Sequence, residues 1–283
     1  MSKISHTVAR CLAEGTAHLA PVSETAHLDA EVLLAAVIGV TREGLIARSN
    51  EEVPPHLRER FFALIERRRL LEPISYIVGR KYFFEDSFYV DSRVFIPRPD
   101  SEIVVEEALR RFPPRSDSGI LDLCCGTGCL GLSIFRFTGT HLTLADISSD
   151  ALAVARINAE RILPLRMKDI SFIQSDLFEH IAGRFDLIVA NPPYLSSSEL
   201  EALTGTPGAY EPRLAFDGGT DGFSVSRRIL AAAHHYLTTK GTLLLELGIR
   251  GGEFARTAET SLRFVEIVKD YADIERVAVF LAP

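Results

Sequence analysis

The sequence predicts an α/β fold: a doubly wound, mainly parallel seven-stranded sheet, preceded by a small N-terminal helical bundle and a β-hairpin linker. Three observations lead there. From Gly119 onward, seven apolar runs (GILDL, HLTLAD, ISFIQSD, FDLIVAN, GTLLLELG, FVEIVKD and RVAVFLA) alternate with helical patterns, as parallel strands covered by helices on both faces do. Through residue 72 the apolar residues instead recur three and four apart, the period of a helix. Between the two, residues 73–95 turn aromatic and β-branched, which reads as a hairpin with its turn at Glu85-Asp86-Ser87. The domains expected are therefore 1–72, helical; 73–95, the hairpin; and 96–283, the sheet domain.

Each element has its own justification. Ala30, Leu33, Leu34, Val37 and Ile38 mark one amphipathic helix, and Leu57, Phe61, Leu64 and Ile65 another. The second ends in Arg67-Arg68-Arg69, which could meet RNA or an acidic partner, although a solvated helix face is the plainer account. In the sheet domain the last two runs lie too close together to enclose a helix, so they are expected to pair antiparallel.

Composition excludes several classes of function. With 31 basic and 38 acidic residues the net charge is −7, so there is no broad positive field to hold a phosphate backbone, and no direct nucleic-acid partner is expected. No apolar run approaches the ~18 residues that span a bilayer, which reads as a cytoplasmic protein without a membrane partner. A monomer is favoured. The four cysteines include Cys124, Cys125 and Cys129, but with no histidine nearby these read as small packing residues rather than a metal site.

The segment LDLCCGTGCLG sets Gly126, Gly128 and Gly131 in a G-x-G-x-x-G between the first sheet strand and a helix, with Cys124, Cys125 and Thr127 in the same turn. Such a turn lets backbone approach a ligand at a helix N-terminus. Asp146 ends the second strand, where its carboxylate can accept hydrogen bonds from both hydroxyls of a ribose. Asp176 and Leu177 end the third; Asp176 can accept from an adenine amino group or cap the next helix, and Leu177 can cover a ring face. Together these residues point to an adenosine cofactor, NAD being one competitor.

Asn191-Pro192-Pro193-Tyr194 decides against NAD. It follows the fourth strand and so faces the same crevice. A planar amine such as a carboxamide or adenine NH2 is a poor nucleophile and must be held. The Asn191 side-chain oxygen and the Pro192 carbonyl offer it two acceptors, Tyr194 can stack on its flat face, and the paired prolines fix the backbone. The chemistry that fits is methyl transfer from S-adenosylmethionine, in which placement matters more than a strong base. The amine could belong to a protein amide or to a flipped adenine. A non-enzymatic adenosine sensor is a third reading, but it would not need acceptors poised for an amine.

Almost the whole chain resembles the protein-(glutamine-N5) methyltransferases that modify peptide chain release factors. The resemblance is carried by HLDAEVLLAAVIG, ISYIVGRKYFF, VFIPRPDSE, SDLF, NPPY and EPRLAFDGGTDGFSVSRRIL, in family order. It implies a class I S-adenosylmethionine-dependent methyltransferase fold, and that Asn191, Pro192 and Tyr194 hold the glutamine of a Gly-Gly-Gln motif. It further implies that residues from Cys124 to Gly128, Asp146, Leu177 and Asn191 line the cofactor, with no metal. Relatives that methylate a ribosomal-protein glutamine are the alternative. Arg98 either lines the pocket mouth or pins the linker. Two departures stand out: Cys124-Cys125 where the family often has small residues, and Ile249-Arg250-Gly251-Gly252-Glu253 where a glutamine is common.

Overall fold

The computed structural model describes residues 6–112, 119–138 and 141–283, so the first five residues of the expected helical domain lie outside it. The chain divides into two compact units: residues 1–79 with 205–210, and residues 80–204 with 211–283.

The first unit is helical: α1 (Val8–Leu19), α2 (Ala26–Ile38), α3 (Arg42–Ala47), α4 (Pro55–Arg69) and α5 (Ile74–Val78). Thr7 caps α1 through its hydroxyl, which accepts from the Arg10 N–H, and Gly39 closes α2 in the left-handed conformation. Leu33 and Leu34 of α2 and Phe61 and Ile65 of α4 are fully buried together. Each such side chain is worth about 1.5–3 kcal/mol relative to exposure. The three arginines of α4 are engaged within the unit: Arg67 with Glu72 at 2.5 Å, Arg68 with Asp29 at 2.8 Å and Arg69 with Glu66 at 2.8 Å. They are neutralised locally, which favours the solvated-face account over an RNA contact. Residues 74–78, assigned to the hairpin from sequence, form α5 instead. Pro73 precedes the helix with φ −58°, and Gly79 at φ 67° ends it. Periodicity over five residues does not separate strand from helix. The segment 205–210 belongs to this unit, and its Tyr210 hydroxyl donates to the Leu70 carbonyl at 2.6 Å.

The second unit begins with a short hairpin, β1 (Lys81–Phe83) and β2 (Asp86–Phe88), whose turn falls at Phe84 and Glu85. After α6 (Glu102–Arg111) come β3 (Gly119–Leu123), α7 (Cys129–Thr138), β4 (His141–Asp146), α8 (Ser149–Ile162), β5 (Ile170–Gln174) and β6 (Phe185–Ala190). Then follow α9 (Ser197–Glu201), α10 (Ser224–Ala232), β7 (Leu237–Glu246), α11 (Gly251–Thr257), β8 (Arg263–Lys269) and β9 (Glu275–Leu281). The sheet order is β5-β4-β3-β6-β7-β9-β8, parallel except for β9, which runs against both neighbours. The last two runs thus pair antiparallel, as their spacing predicts.

Alternate residues of each central strand enter two separate cores. Ile120, Leu144, Leu187 and Val189 face one; Leu121, Leu123, Ile188 and Leu245 face the other. Burial on both faces explains why the runs are apolar throughout. The strand order reverses between β3 and β6, and the crevice beyond their carboxyl ends is where such sheets bind ligands.

Candidate functional site

The loop leaving β3 is shaped by its backbone. Cys124, Gly126 and Gly128 adopt φ of 57°, 53° and 77°. A Cβ on Gly126 would meet nothing within 4 Å, so the positive φ, and the room it leaves for a ligand, is what calls for glycine. The Gly128 N–H donates to the Cys125 carbonyl at 2.7 Å, turning the chain into α7. From α8, the buried Asn158 amide donates to the carbonyls of Thr127 at 3.0 Å and Tyr89 at 3.1 Å, clamping the loop from below.

This loop borders a cavity of about 240 Å³ whose walls include Cys124, Cys125, Gly126, Thr127, Asp146 and Asp176. Asp146 accepts from the Gly126 N–H and the Ser148 N–H, each at 2.9 Å, one on each carboxylate oxygen. A carboxylate has about four acceptor sites, so both oxygens keep capacity for a ligand. Burial raises its pKa despite those bonds. Asp122, on β3 beneath the loop, accepts from the Gly131 N–H at 2.8 Å through one oxygen, while the other is buried without a partner. Burial pushes its pKa up to about 7. Asp176 is paired with Arg228 of α10 at 2.9 Å, so its side chain is not spent on a helix cap. Leu177 takes φ 53°, held by the Ser175 hydroxyl donating to its carbonyl at 2.8 Å. Two non-glycine residues in the left-handed region, Cys124 and Leu177, therefore border one cavity, and strain of that kind gathers where a ligand site dictates backbone shape.

The tetrapeptide continues β6 into the same cavity. Asn191, Pro193 and Tyr194 border it, whereas the Pro192 ring is buried in the protein, and neither Pro192 nor Gly128 belongs to the cavity wall. The Asn191 side-chain NH2 donates to the Ser101 hydroxyl at 3.4 Å, and that hydroxyl donates to Glu246 Oε1 at 2.9 Å. Glu246, at the end of β7, is 2 % exposed; its other oxygen has no partner, and burial pushes its pKa up to about 7. Tyr194 lies with its ring against Gly248, where a Cβ would come within 2.8 Å of Tyr194 Cδ2. Burial, with the Glu246 charge second, pushes the Tyr194 hydroxyl up to about 12, so it stays protonated. Beneath the tetrapeptide, the Leu195 N–H donates to Phe216 and the Gly218 N–H to Leu195, both at 2.9 Å.

Arg98 pairs with the buried Glu211 at 2.5 Å and lies 4.6 Å over the Phe95 ring. Glu211 also accepts from the Ile96 N–H at 2.9 Å. Arg98 does not border the cavity, and its pair with Glu211 lies within the second unit. All four cysteines are free thiols, and burial raises those of Cys124, Cys125 and Cys129, consistent with packing rather than reactivity. Among the described residues no cluster of three or more His, Cys, Asp or Glu is arranged to hold a metal, and no helix is long and apolar enough to cross a membrane.

The cavity thus gathers Cys124, Cys125, Gly126, Thr127, Asp146, Asp176, Leu177, Asn191, Pro193 and Tyr194 from four strand ends. Sequence reasoning missed Ser101, Asp122, Arg228, Glu246 and Gly248. Two of them carried a signal: Asp122 in GILDL and Glu246 in LLLELG are single acids inside buried strands, where an ionised group is costly.

A cavity at the switch point of a doubly wound sheet, with acids at the ends of β4 and β5 and an amide after β6, defines an α/β methyltransferase. The family profile described as "Methyltransferase small domain" matches residues 103–205, and the one described as "PrmC N-terminal domain" matches residues 10–79. The solved T. thermophilus 16S rRNA methyltransferase RsmC superposes with TM-score 0.50 over 72% of this chain and 50% of its own, at 16% identity, which speaks for the fold. The release factor glutamine methyltransferase of Haemophilus influenzae is 36% identical over 95% of this chain and 96% of its own. That of Geobacter sulfurreducens is 39% identical over 83% of each. The chain belongs to the release factor glutamine methyltransferase family.

Proposed function

We propose that the protein transfers a methyl group from S-adenosylmethionine to the side-chain amide nitrogen (N5) of the glutamine in the Gly-Gly-Gln motif of peptide chain release factors. The observation that carries this reading is the Asn191 amide, fixed at the cavity wall with its NH2 turned toward Ser101, which leaves the side-chain oxygen as the acceptor for a substrate amine.

The residues present suit the cofactor. Asp122 and Asp146, neither paired with a cation, border the cavity, while Asp176 is offset by Arg228. That field favours a cationic ligand over a pyrophosphate, which argues for S-adenosylmethionine and against NAD. Asp146 would hold the ribose hydroxyls, the unpartnered Asp122 oxygen an ammonium, Leu177 and Asp176 the adenine, and Cys124 to Gly128 the backbone cradle. The sulfonium, when bound, supplies an electrophilic methyl. The chain's own work is placement. Asn191 Oδ1 accepts one amide N–H of the glutamine and the Pro192 carbonyl the other, a role for Pro192 that rests on the family resemblance because the residue does not border the cavity, and Tyr194 covers the flat face from the side opposite Gly248. Accepting hydrogen bonds from those N–H groups stabilises the positive charge that grows on nitrogen, and one of the two protons is then lost to solvent as the N-methylamide forms. The protonated Tyr194 hydroxyl is not a base. The helical unit is proposed to grip the release factor, because a short loop alone lacks the remote contacts that position a side chain. Domain roles follow: helical recognition, hairpin linker, methyltransferase.

The test is transfer of labelled methyl from S-adenosylmethionine to purified release factor, followed by peptide mapping. Label on the Gly-Gly-Gln glutamine is expected. Label in nucleic acid or in a ribosomal protein, with none in the release factor, would overturn the assignment.

A further inference from the structure

We propose that Ser101 and Glu246 act as a positioning pair that fixes which end of the Asn191 side-chain amide faces the substrate. The inference rests on the reading of Asn191 as the substrate's acceptor.

A carboxylate can only accept, so the hydroxyl proton of Ser101, 2.9 Å from Glu246 Oε1, is committed to Glu246. The Ser101 oxygen is then left with lone pairs alone toward Asn191, and a lone pair can be met only by the Asn191 NH2, at 3.4 Å. Its carbonyl oxygen is thereby turned to the other side. With the amide reversed, NH2 would face the substrate NH2, donor against donor, and the acceptor would be lost.

Ser101 supplies a second observation. It occupies the N-cap position of α6, yet its side chain makes no capping bond. Its backbone is already helical (φ −74°, ψ −13°), continuing the 3-10 turn Pro99–Ser101, which leaves the hydroxyl free of a capping role. Here the hydroxyl is directed to Glu246 instead, with both side chains almost wholly buried. Nor is Glu246 paired with Arg276, the cation whose charge acts on it. The Arg276 guanidinium of β9 is taken by Asp270 at 3.0 Å, Asp100 at 3.2 Å and the Leu247 carbonyl at 3.4 Å. A buried acid at the end of a core strand, with one oxygen aimed at Ser101 and the other unpartnered, is costly to stability, so its placement calls for a reason in the site.

Protonation weakens the device. A neutral Glu246 can donate to Ser101 and release the hydroxyl proton toward Asn191. The charged and titratable groups facing Glu246 are Arg276 from β9, Asp100 ahead of α6, Tyr194 after β6 and Cys129 at the start of α7.

Steady-state kinetics on the full-length protein with intact release factor, alongside calorimetric cofactor affinity, test the proposal. Ser101→Ala should lower kcat about tenfold, the scale of one oriented hydrogen bond, with cofactor affinity unchanged, and Ser101→Thr should restore most of the rate. The double variant Ser101→Ala/Asn191→Ala should be no slower than Asn191→Ala alone, since Ser101 acts only through Asn191. In the wild type kcat should fall as pH drops through the neutral range, and Glu246→Gln should abolish that limb. A Ser101→Ala loss that simply adds to that of Asn191→Ala, or a Ser101→Ala enzyme with unchanged kcat, would overturn the pair while leaving the Asn191 reading intact. If Asn191→Ala itself turned over normally, the reading beneath would fail, and the pair with it.

Discussion

The two sides of the cavity solve one problem with different materials. On the glycine-loop side, two acids are held by main chain: Asp122 accepts from the Gly131 N–H, and Asp146 from the N–H groups of Gly126 and Ser148. On the tetrapeptide side, the buried acid Glu246 is held by a side-chain hydroxyl, and Asn191 by the same hydroxyl. Backbone donors survive most substitutions, so the first side depends on chain geometry. The second depends on the identity of a few side chains brought from far apart.

Substitutions sharpen that contrast. The largest effect is expected for Asn191→Ala, with kcat falling by about two to three orders of magnitude, as for loss of one preorganised contact to a transition state. Cofactor affinity measured by calorimetry should move much less, and a parallel loss of both would place Asn191 on the cofactor side. Next comes Asp146→Ala, which should weaken cofactor binding by about 1.5–3 kcal/mol through loss of charge-assisted bonds. Unchanged affinity would remove Asp146 from the ribose. Gly248→Ala is expected to act on the substrate side alone. Its Cβ would push the Tyr194 ring, raising KM for the release factor about three- to tenfold, an effect of roughly 1 kcal/mol, with no change in cofactor affinity. Tyr194→Phe should keep most activity, because the ring face does the stacking; a dead Phe variant would contradict that.

The last effect concerns stability rather than activity. Asp122 and Glu246 both have pKa values raised to about 7 by burial. Below the ordinary carboxyl range both acids are protonated in the folded and unfolded chain alike, and their contribution is fully present. As pH rises toward 7 the unfolded chain ionises first, so that contribution is lost through the window up to about 7, at up to about 1.4 kcal/mol per pH unit for each group. Asp122→Asn should flatten the fall in unfolding free energy between pH 5 and 7 by roughly one group's share. Chemical denaturation across that range checks it, and an unaltered slope would mean that Asp122 ionises normally in the fold.

The same contrast explains what could be read from the sequence. The glycine loop, Asp146 and the tetrapeptide are local signals: glycine spacing, an acid at a strand end, and prolines after an apolar run. The sheet was legible because every strand is buried on both faces. Ser101 was hidden because its partners lie 90 and 145 residues away, and nothing in PRPDSE marks the hydroxyl as uncommitted to its own helix. Gly248 was equally silent, since its importance is the ring resting on it. Residues 74–78 went to the hairpin because Tyr76 and Ile77 have the composition of a strand, while the signals that mattered were the flanking Pro73 and Gly79.

The grouping of residues 205–210 with the helical unit bears on how such a protein can be rebuilt by recombination. A cut between Gly79 and Arg80 does not release that unit whole, because Gly205–Tyr210 stays with the remainder of the chain and the Tyr210 hydroxyl parts from the Leu70 carbonyl. The helical unit is therefore no exchangeable cassette. A chimera that takes residues 1–79 from a relative inherits a mismatched segment 205–210 unless both stretches travel together, so moving the helical unit from one protein to another requires two splices rather than one.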